Sequence, residues 1–169
     1  MLLRPAVEND IARIVALERT PGAQSFVGQW SEERHRTTLS GGDARYFVTD
    51  SPVGDLEAYI ILRGLSENSG ALEIKRIVVA APGRGLGRKI LTNLLQLAFE
   101  DLHAHRLFLD VFEDNARARH LYESLGFVYE GIMRDAALRD GRYFNLHLMS
   151  MLEREYRKHQ PTLPQVPSS

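Results

Sequence analysis

Three features of the sequence predict a mixed α/β fold of one domain. The chain has 169 residues, near the size of a single domain, and a chain of that length buries about 70% of its unfolded surface. Apolar residues make up 44% and charged residues 25%, which excludes wholesale disorder, collagen-like repeats and coiled coil. Hydrophobic periodicity then runs helix, helix, three strands, helix, strand, helix, two strands, and the central strand-helix-strand unit calls for a right-handed crossover.

Ile11, Ile14, Val15 and Ala16 stand at helical spacing between Glu8 and Arg19, and Thr20-Pro21-Gly22 ends that helix. Ser31 is the N-cap of a second helix, with Glu32 and Glu33 in its first turn and Ser40-Gly41-Gly42 as its break. The loop between them carries Phe26, Gln29 and Trp30. Strands follow at Arg45 to Thr49, Leu56 to Leu62 and Leu72 to Val79, separated by turn residues. A helix from about Gly85 to Leu102 buries Leu86, Ile90, Leu94, Leu97 and Ala98. Arg106 to Phe112 is a buried strand. Asp114 caps a helix to Ser124, with Gly126 as its left-handed terminator. Phe127 to Met133 and Arg142 to Leu152 complete the strands. The expected organisation is a domain over residues 1–156 and a mobile C-terminal tail, 157–169, with three prolines and no apolar period.

The charge balance, 21 Lys+Arg against 22 Asp+Glu, offers no basic field for a run of phosphates, so no nucleic-acid partner is expected. Cysteine is absent, which excludes disulfides, thiolate metal sites and an acyl-cysteine intermediate. No apolar run approaches the roughly 18 residues of a membrane span, so no membrane partner is expected and the location is expected to be cytoplasmic. The six histidines show no metal-binding spacing, and no metal is expected.

Pro82-Gly83-Arg84-Gly85-Leu86-Gly87-Arg88-Lys89 joins a buried strand to a long helix. Glycines there let backbone N–H groups approach a ligand, and the helix N-terminus favours negative charge, so a phosphate or pyrophosphate is implied. A dinucleotide fingerprint fails because Ile90 or Arg88 falls where its last glycine belongs, and a P-loop fails because Arg88-Lys89-Ile90 replaces Gly-Lys-Ser/Thr. A purely geometric turn is the alternative reading. On the next helix, Asn115 and Tyr122 lie nearly two turns apart on one face, with Ala118 and Arg119 between them.

The Arg84-Gly85-Leu86-Gly87 turn, followed by Asn115-x-Arg117-Ala118-x-x-Leu121-Tyr122-x-x-x-Gly126-Phe127, resembles the GNAT superfamily of acyl-CoA-dependent N-acyltransferases. The resemblance implies a mixed, mostly antiparallel twisted sheet with a splayed parallel pair of strands and about four helices. It implies an N-acetyltransferase that carries an acetyl group from acetyl-CoA directly to a primary amine in a ternary complex. The acceptor class is a small amino compound, a polyamine or a protein N-terminus, and the alternative is a non-catalytic CoA-binding or regulatory module. Carried over by position, Arg84, Gly85, Leu86, Gly87 and Arg88 hold the CoA pyrophosphate, Ile77, Val78 and Val79 line the pantetheine opening, and Asn115 and Arg119 join the cofactor site. Pro82 stands where many members carry Arg or Gln, leaving Arg84 and Arg88 as the replacements at hand.

Transfer to an amine needs a neutral nitrogen, whereas an alkylamine has an ordinary pKa of about 10.4. Glu73 resembles the glutamate some members use as base, acting directly or through a water. Tyr122 matches the phenol near the CoA sulfur. With an ordinary pKa of about 10 against roughly 8.5 for a thiol, it keeps a proton for the leaving thiolate. Acceptor contacts are expected from Phe26 and Trp30 in the first loop and from Tyr143 near the last strand. Arg134, Asp135, Asp140, Arg142 and Tyr143 surround the connection before that last strand, and Asn145 stands where the subgroup often has an aspartate. His35 and His147 are further acceptor-site candidates, while His120 is expected at the surface. By analogy alone, a homodimer through the late strands is expected.

Overall fold

In the computed structural model, which describes residues 3–159, seven strands join in one sheet. β1 (Arg4–Pro5), β2 (Ala44–Asp50), β3 (Leu56–Arg63) and β4 (Ala71–Val79) pair antiparallel in sequence order. β5 (Arg106–Phe112) lies parallel to β4, β7 (Arg142–Leu152) antiparallel to β5, and β6 (Val128–Arg139) forms the far edge. The parallel pair is splayed. Only Ala71, Leu72 and Glu73 pair with Arg106, Leu107 and Phe108, so the rest of β4 and β5 run apart. This is the mixed, mostly antiparallel sheet with a splayed parallel pair that the resemblance implies.

A 3-10 turn (Glu8–Asp10) leads into α1 (Ile11–Glu18), followed by α2 (Pro21–Gln24), α3 (Glu32–Ser40), α4 (Leu86–Gln96), α5 (Ala116–Ser124) and α6 (Glu153–His159). α4 ends in a π-helical turn, Leu97–Asp101. Among the described residues six helices replace the expected four, because α2 and α6 are too short to develop a periodic stripe. Pro21 reads as a stop after α1 but is the first residue of α2, where a missing N–H costs nothing. α6 carries acids in its first turn and Arg157, Lys158 and His159 in its last, which suits the helix dipole. The expected tail is therefore helical as far as His159, and its remainder lies outside the described residues. Ser31 caps α3 as expected, its side chain accepting from Arg34 N at 3.2 Å.

The sheet buries both faces. On one side Ile90, Leu91, Leu94 and Phe99 of the α4 segment pack on Ile60, Leu62, Ile74, Leu107 and Met149. On the other, Ile14 and Leu17 of α1 pack on Tyr46, Val48, Tyr59, Ile61 and Val78. The faces of β4 exchange partway along because its register slips: Leu62 pairs with Ile74 but Ile61 with Arg76, leaving Lys75 as an extra residue. Leu72 and Ile74 thus face α4, whereas Val78 faces α1.

The slip also brings the Arg76 guanidinium into the second core beside Glu18, at 2.7 Å. Glu18 is 1% exposed. It accepts from the Tyr59 hydroxyl, and His35 Nε2 lies 3.3 Å from its Oε1. Burial alone would push this carboxyl up, but the hydrogen bonds from His35 and Tyr59 and the charge of Arg76 leave it below its ordinary value. Buried charge of this kind is tolerated because it is fully partnered.

Candidate active site

The splay between β4 and β5 opens into a cavity of about 530 Å³. Its walls come from four places: Ala23, Phe26 and Val27 at α2 and the loop after it; Ile77, Val78 and Val79 on β4; Gly83, Gly85, Gly87 and Arg88 at the glycine turn; and Asn115, Arg117, Ala118, Leu121 and Tyr122 on α5. The splay sets strand N–H direction. Ala80 N donates to Glu57 O on β3 at 2.8 Å, so alternation along the strand turns the N–H groups of Ile77 and Val79 away from β3, toward the gap β5 has left.

The glycine turn owes its shape to left-handed backbone. Gly83 has φ +99 and Gly85 φ +76, values that side chains resist, and Gly85 is the N-cap of α4. Gly87 lets α4 and α5 approach: a Cβ there would sit 3.4 Å from Leu121 Cδ2. Lys89 N donates to Gly85 O at 3.2 Å, while the N–H groups of Gly85, Leu86, Gly87 and Arg88 meet no backbone acceptor among the described residues. No acid stands in the first turn of α4, and Arg88 and Lys89 add positive charge where the helix dipole is already positive. That arrangement suits an anion. Past Arg88 and Arg117 the cavity adjoins a shallow surface that includes His120 and Ser124.

Tyr122 is buried on α5, its ring 5.7 Å from that of Phe127. Burial first, and the charge of Asp110 second, raise the phenol well above its ordinary value, so it remains a proton donor at neutral pH. Asp110, which the sequence reading did not single out, lies outside the cavity wall and is exposed. It follows the last paired residue of β5, Phe108, by two positions and shares that residue's side of the strand. Desolvation raises its carboxyl, Lys75 opposes the rise, and Glu73 adds to it. The available signal was an acid set between Leu109 and Val111 in a buried strand.

The remaining expected residues divide. Glu73 lies at the point where the strands part, outside the cavity wall, with Lys75 Nζ at 3.2 Å and Arg63 Nη1 at 4.0 Å from its carboxylate. Arg84 and Leu86 do not line the cavity, and Leu86 packs against the main core. Asn115, not Asp114, is the N-cap of α5, its Oδ1 accepting from Ala118 N at 3.2 Å, which leaves its Nδ2 for a ligand. Because Asn115 has non-helical dihedrals, counting helical phase from it misplaces Arg119. That guanidinium reaches His147 at 3.3 Å and Glu123 at 3.8 Å, and Arg117 takes the cavity wall instead.

Phe26 lines the cavity, but Trp30 is held between Arg34 and Arg76, each 4.1 Å from its ring, and Tyr143 is 61% exposed on the late hairpin. His35 is fully buried beside Glu18, and its Nδ1 is 3.1 Å from the Tyr46 hydroxyl. Asn145 ties β7 to its surroundings: its Oδ1 accepts from Asp135 N at 3.0 Å, and its Nδ2 donates to Glu113 at 3.2 Å.

Comparison with known proteins gives a consistent result. The model of the acetyltransferase (GNAT) family matches residues 14–127. A spermidine N(1)-acetyltransferase of Vibrio cholerae serotype O1 is 28% identical over 128 residues, covering 74% of this chain and 73% of that protein. An L-amino acid N-acyltransferase of Escherichia coli (strain K12) is 35% identical over a shorter stretch of 69 residues, covering 41% of this chain and 40% of that protein. Among solved structures, spermidine N-acetyltransferase from Vibrio cholerae in complex with CoA and spermine superimposes with a TM-score of 0.81 at 26% identity, covering 92% of this chain and 96% of that one.

Proposed function

The chain belongs to the GNAT acetyltransferase family and carries an acetyl group from acetyl-CoA to a primary amine; from that premise we propose that its acceptor is a polyamine. One observation carries the reading: a largely apolar cavity leads from the anion-seeking glycine turn into the splay, and two carboxyls, Glu73 where the strands part and Asp110 two residues past that point on β5, stand just outside its wall. Methylene chains suit the walls formed by Phe26, Val27, Ile77 and Leu121, and a terminal ammonium suits the carboxyls. The long match to spermidine acetyltransferases supports the same choice.

In this reading the N–H groups of Gly85 to Arg88 grip the pyrophosphate, with Arg88 and Arg117 adding charge. Asn115 Nδ2 donates to the pantetheine arm. Ile77 and Val79 aim their N–H groups at the thioester carbonyl and hold the negative charge that gathers on its oxygen as the amine adds. Asp110 takes the ammonium proton, directly or through water. Glu73 keeps the Asp110 carboxyl basic, because a second negative charge nearby favours protonation. Tyr122 donates to the departing sulfur.

Acetyl-CoA-dependent thiol release measured with spermidine, spermine, putrescine, free amino acids and N-terminal peptides tests the acceptor. Spermidine or spermine is expected to give a kcat/KM at least about tenfold above any amino acid, a difference of roughly 1.4 kcal/mol in transition-state binding. Faster turnover of an amino acid or a peptide would overturn the polyamine assignment.

A further inference from the structure

The late hairpin reaches back over the site through one side chain. Asp140 and Gly141 turn the β6–β7 hairpin with φ +51 and φ +75, the two left-handed residues of a tight Asp-Gly turn, which pins Arg139 opposite Arg142. Between Met133 and Ala137 the β6 register slips again, with Asp135 at φ +49 and its N–H held by Asn145. Such a bulge bends a strand and re-aims the residues beyond it.

Arg139 then lies over the Phe144 ring, its guanidinium carbon 4.0 Å from the centroid, with Phe112 at 4.8 Å. Its two terminal nitrogens diverge. Nη1 donates to the carbonyl of Ser25, next to Phe26 on one wall of the cavity. Nη2 donates to Asp114 Oδ2 at 2.5 Å, next to Asn115 on the opposite wall. A planar, always-charged fork stacked on an aromatic ring is a rigid spacer, which a lysine would not be.

We propose that Arg139 is a positioning residue for the acceptor: by holding Ser25 and Asp114 at one separation, it sets the width of the cavity mouth between Phe26 and Asn115. This rests on the amine-acetyltransferase reading of the cavity and deepens it. Ser25 and Asp114 are far apart in sequence, and the clamp joins them without entering the cavity. It governs entry and alignment of the amine first; of the CoA contacts it bears only on Asn115, and the glycine turn that grips the pyrophosphate is left out of its reach.

The test uses the full-length enzyme with Arg139→Met, which keeps length and ring contact but loses both donors, together with Arg139→Lys and Asp114→Asn. For Arg139→Met the KM for the preferred amine is expected to rise about tenfold, while the acetyl-CoA KM rises no more than about threefold through the single Asn115 contact and kcat stays within about threefold, the signature of alignment lost mainly at the amine. Arg139→Lys should recover part of the loss. The double variant Arg139→Met with Asp114→Asn should be no worse than Arg139→Met alone, because both remove one bridge. Amide hydrogen exchange of the same variants, read without any amine, should quicken about fivefold or more at residues 25–28 and 114–116 and stay unchanged in α4.

An unchanged amine KM, an equal rise in the acetyl-CoA KM, or unchanged exchange in both segments would overturn the clamp. If the wild-type enzyme acetylates no amine, the acceptor reading fails on its own, and the exchange data still decide whether Arg139 holds the two walls.

Discussion

In the proposed mechanism Tyr122, in the cavity wall, and Asp110, just outside it, answer opposite protonation demands. On that proposal the phenol keeps its proton until sulfur leaves, and burial favours the protonated form. On the same proposal the carboxyl accepts one, and a raised value moves it toward the range where a carboxylate is an effective base. Replacing Tyr122 by Phe is therefore expected to lower kcat by roughly a hundredfold while CoA affinity, measured calorimetrically, holds. For Asp110→Asn, kcat/KM for the amine should fall and its acidic limb should vanish from the pH profile. Glu73→Gln should shift that limb to lower pH, since it removes the charge that raises Asp110.

A stability signature separates a catalytic Asp110 from a structural one. A carboxyl raised in the folded state binds its proton more tightly than in the unfolded chain. Its contribution is present below the unfolded value and is lost as pH rises through the folded one. Asp110→Asn should thus raise Tm at neutral pH even as it slows turnover, and a lower Tm would point to a structural role. Sequence reading reached Tyr122 through motif spacing but not Asp110, because nothing along β5 tells which of its residues lie past the point where β4 departs.

Elements were legible where a period or a cap was written into the chain. α1, α3 and the α4 segment carry helical stripes or caps, and β5 matches its expected bounds at both ends. The register slips at Lys75 and between Met133 and Ala137 were not legible, since a bulge changes which face each residue serves without changing composition. Those slips placed Arg76 in the core and brought Arg139 over the cavity mouth.

The turn before β4 offers an element-scale test. Gly64 has φ +90, and a Cβ on it would lie 2.6 Å from the backbone oxygen of Ala71. Gly64→Ala is expected to destabilise by about 2 kcal/mol or more, from combined left-handed strain and backbone clash, read as a lower denaturation midpoint with an unchanged m-value. A neutral result would show that the β3–β4 turn relaxes freely.

At the scale of the molecule, two layers of helix are locked to one sheet, and the Glu18–Arg76 pair is the polar rivet on the α1 side. Arg76 also donates to Gly28 O and stacks on Trp30, so the same side chain fixes the loop that leads from the cavity wall into α3. Arg76→Met leaves Glu18 buried without its cation. A loss of about 3–5 kcal/mol is expected in chemical denaturation. The paired replacement of Glu18 by Gln and Arg76 by Met should recover much of it, because no charge is then stranded.

What the chain determined by itself was local. Glycines before a helix, a basic first turn with no acid in it, and an Asn-to-Tyr spacing from a helix cap onward are the pattern of an anion-seeking turn followed by a phenol wherever they fold, since each depends on neighbours within two helical turns. What only the tertiary structure decided was convergence: Asp110 within electrostatic reach of Tyr122, Arg76 against Gly28 and Trp30, and Arg139 bridging Ser25 to Asp114. Those meetings depend on where β4 and β5 part and where β6 bulges, and a contact between distant residues leaves no period in the sequence from which to read it.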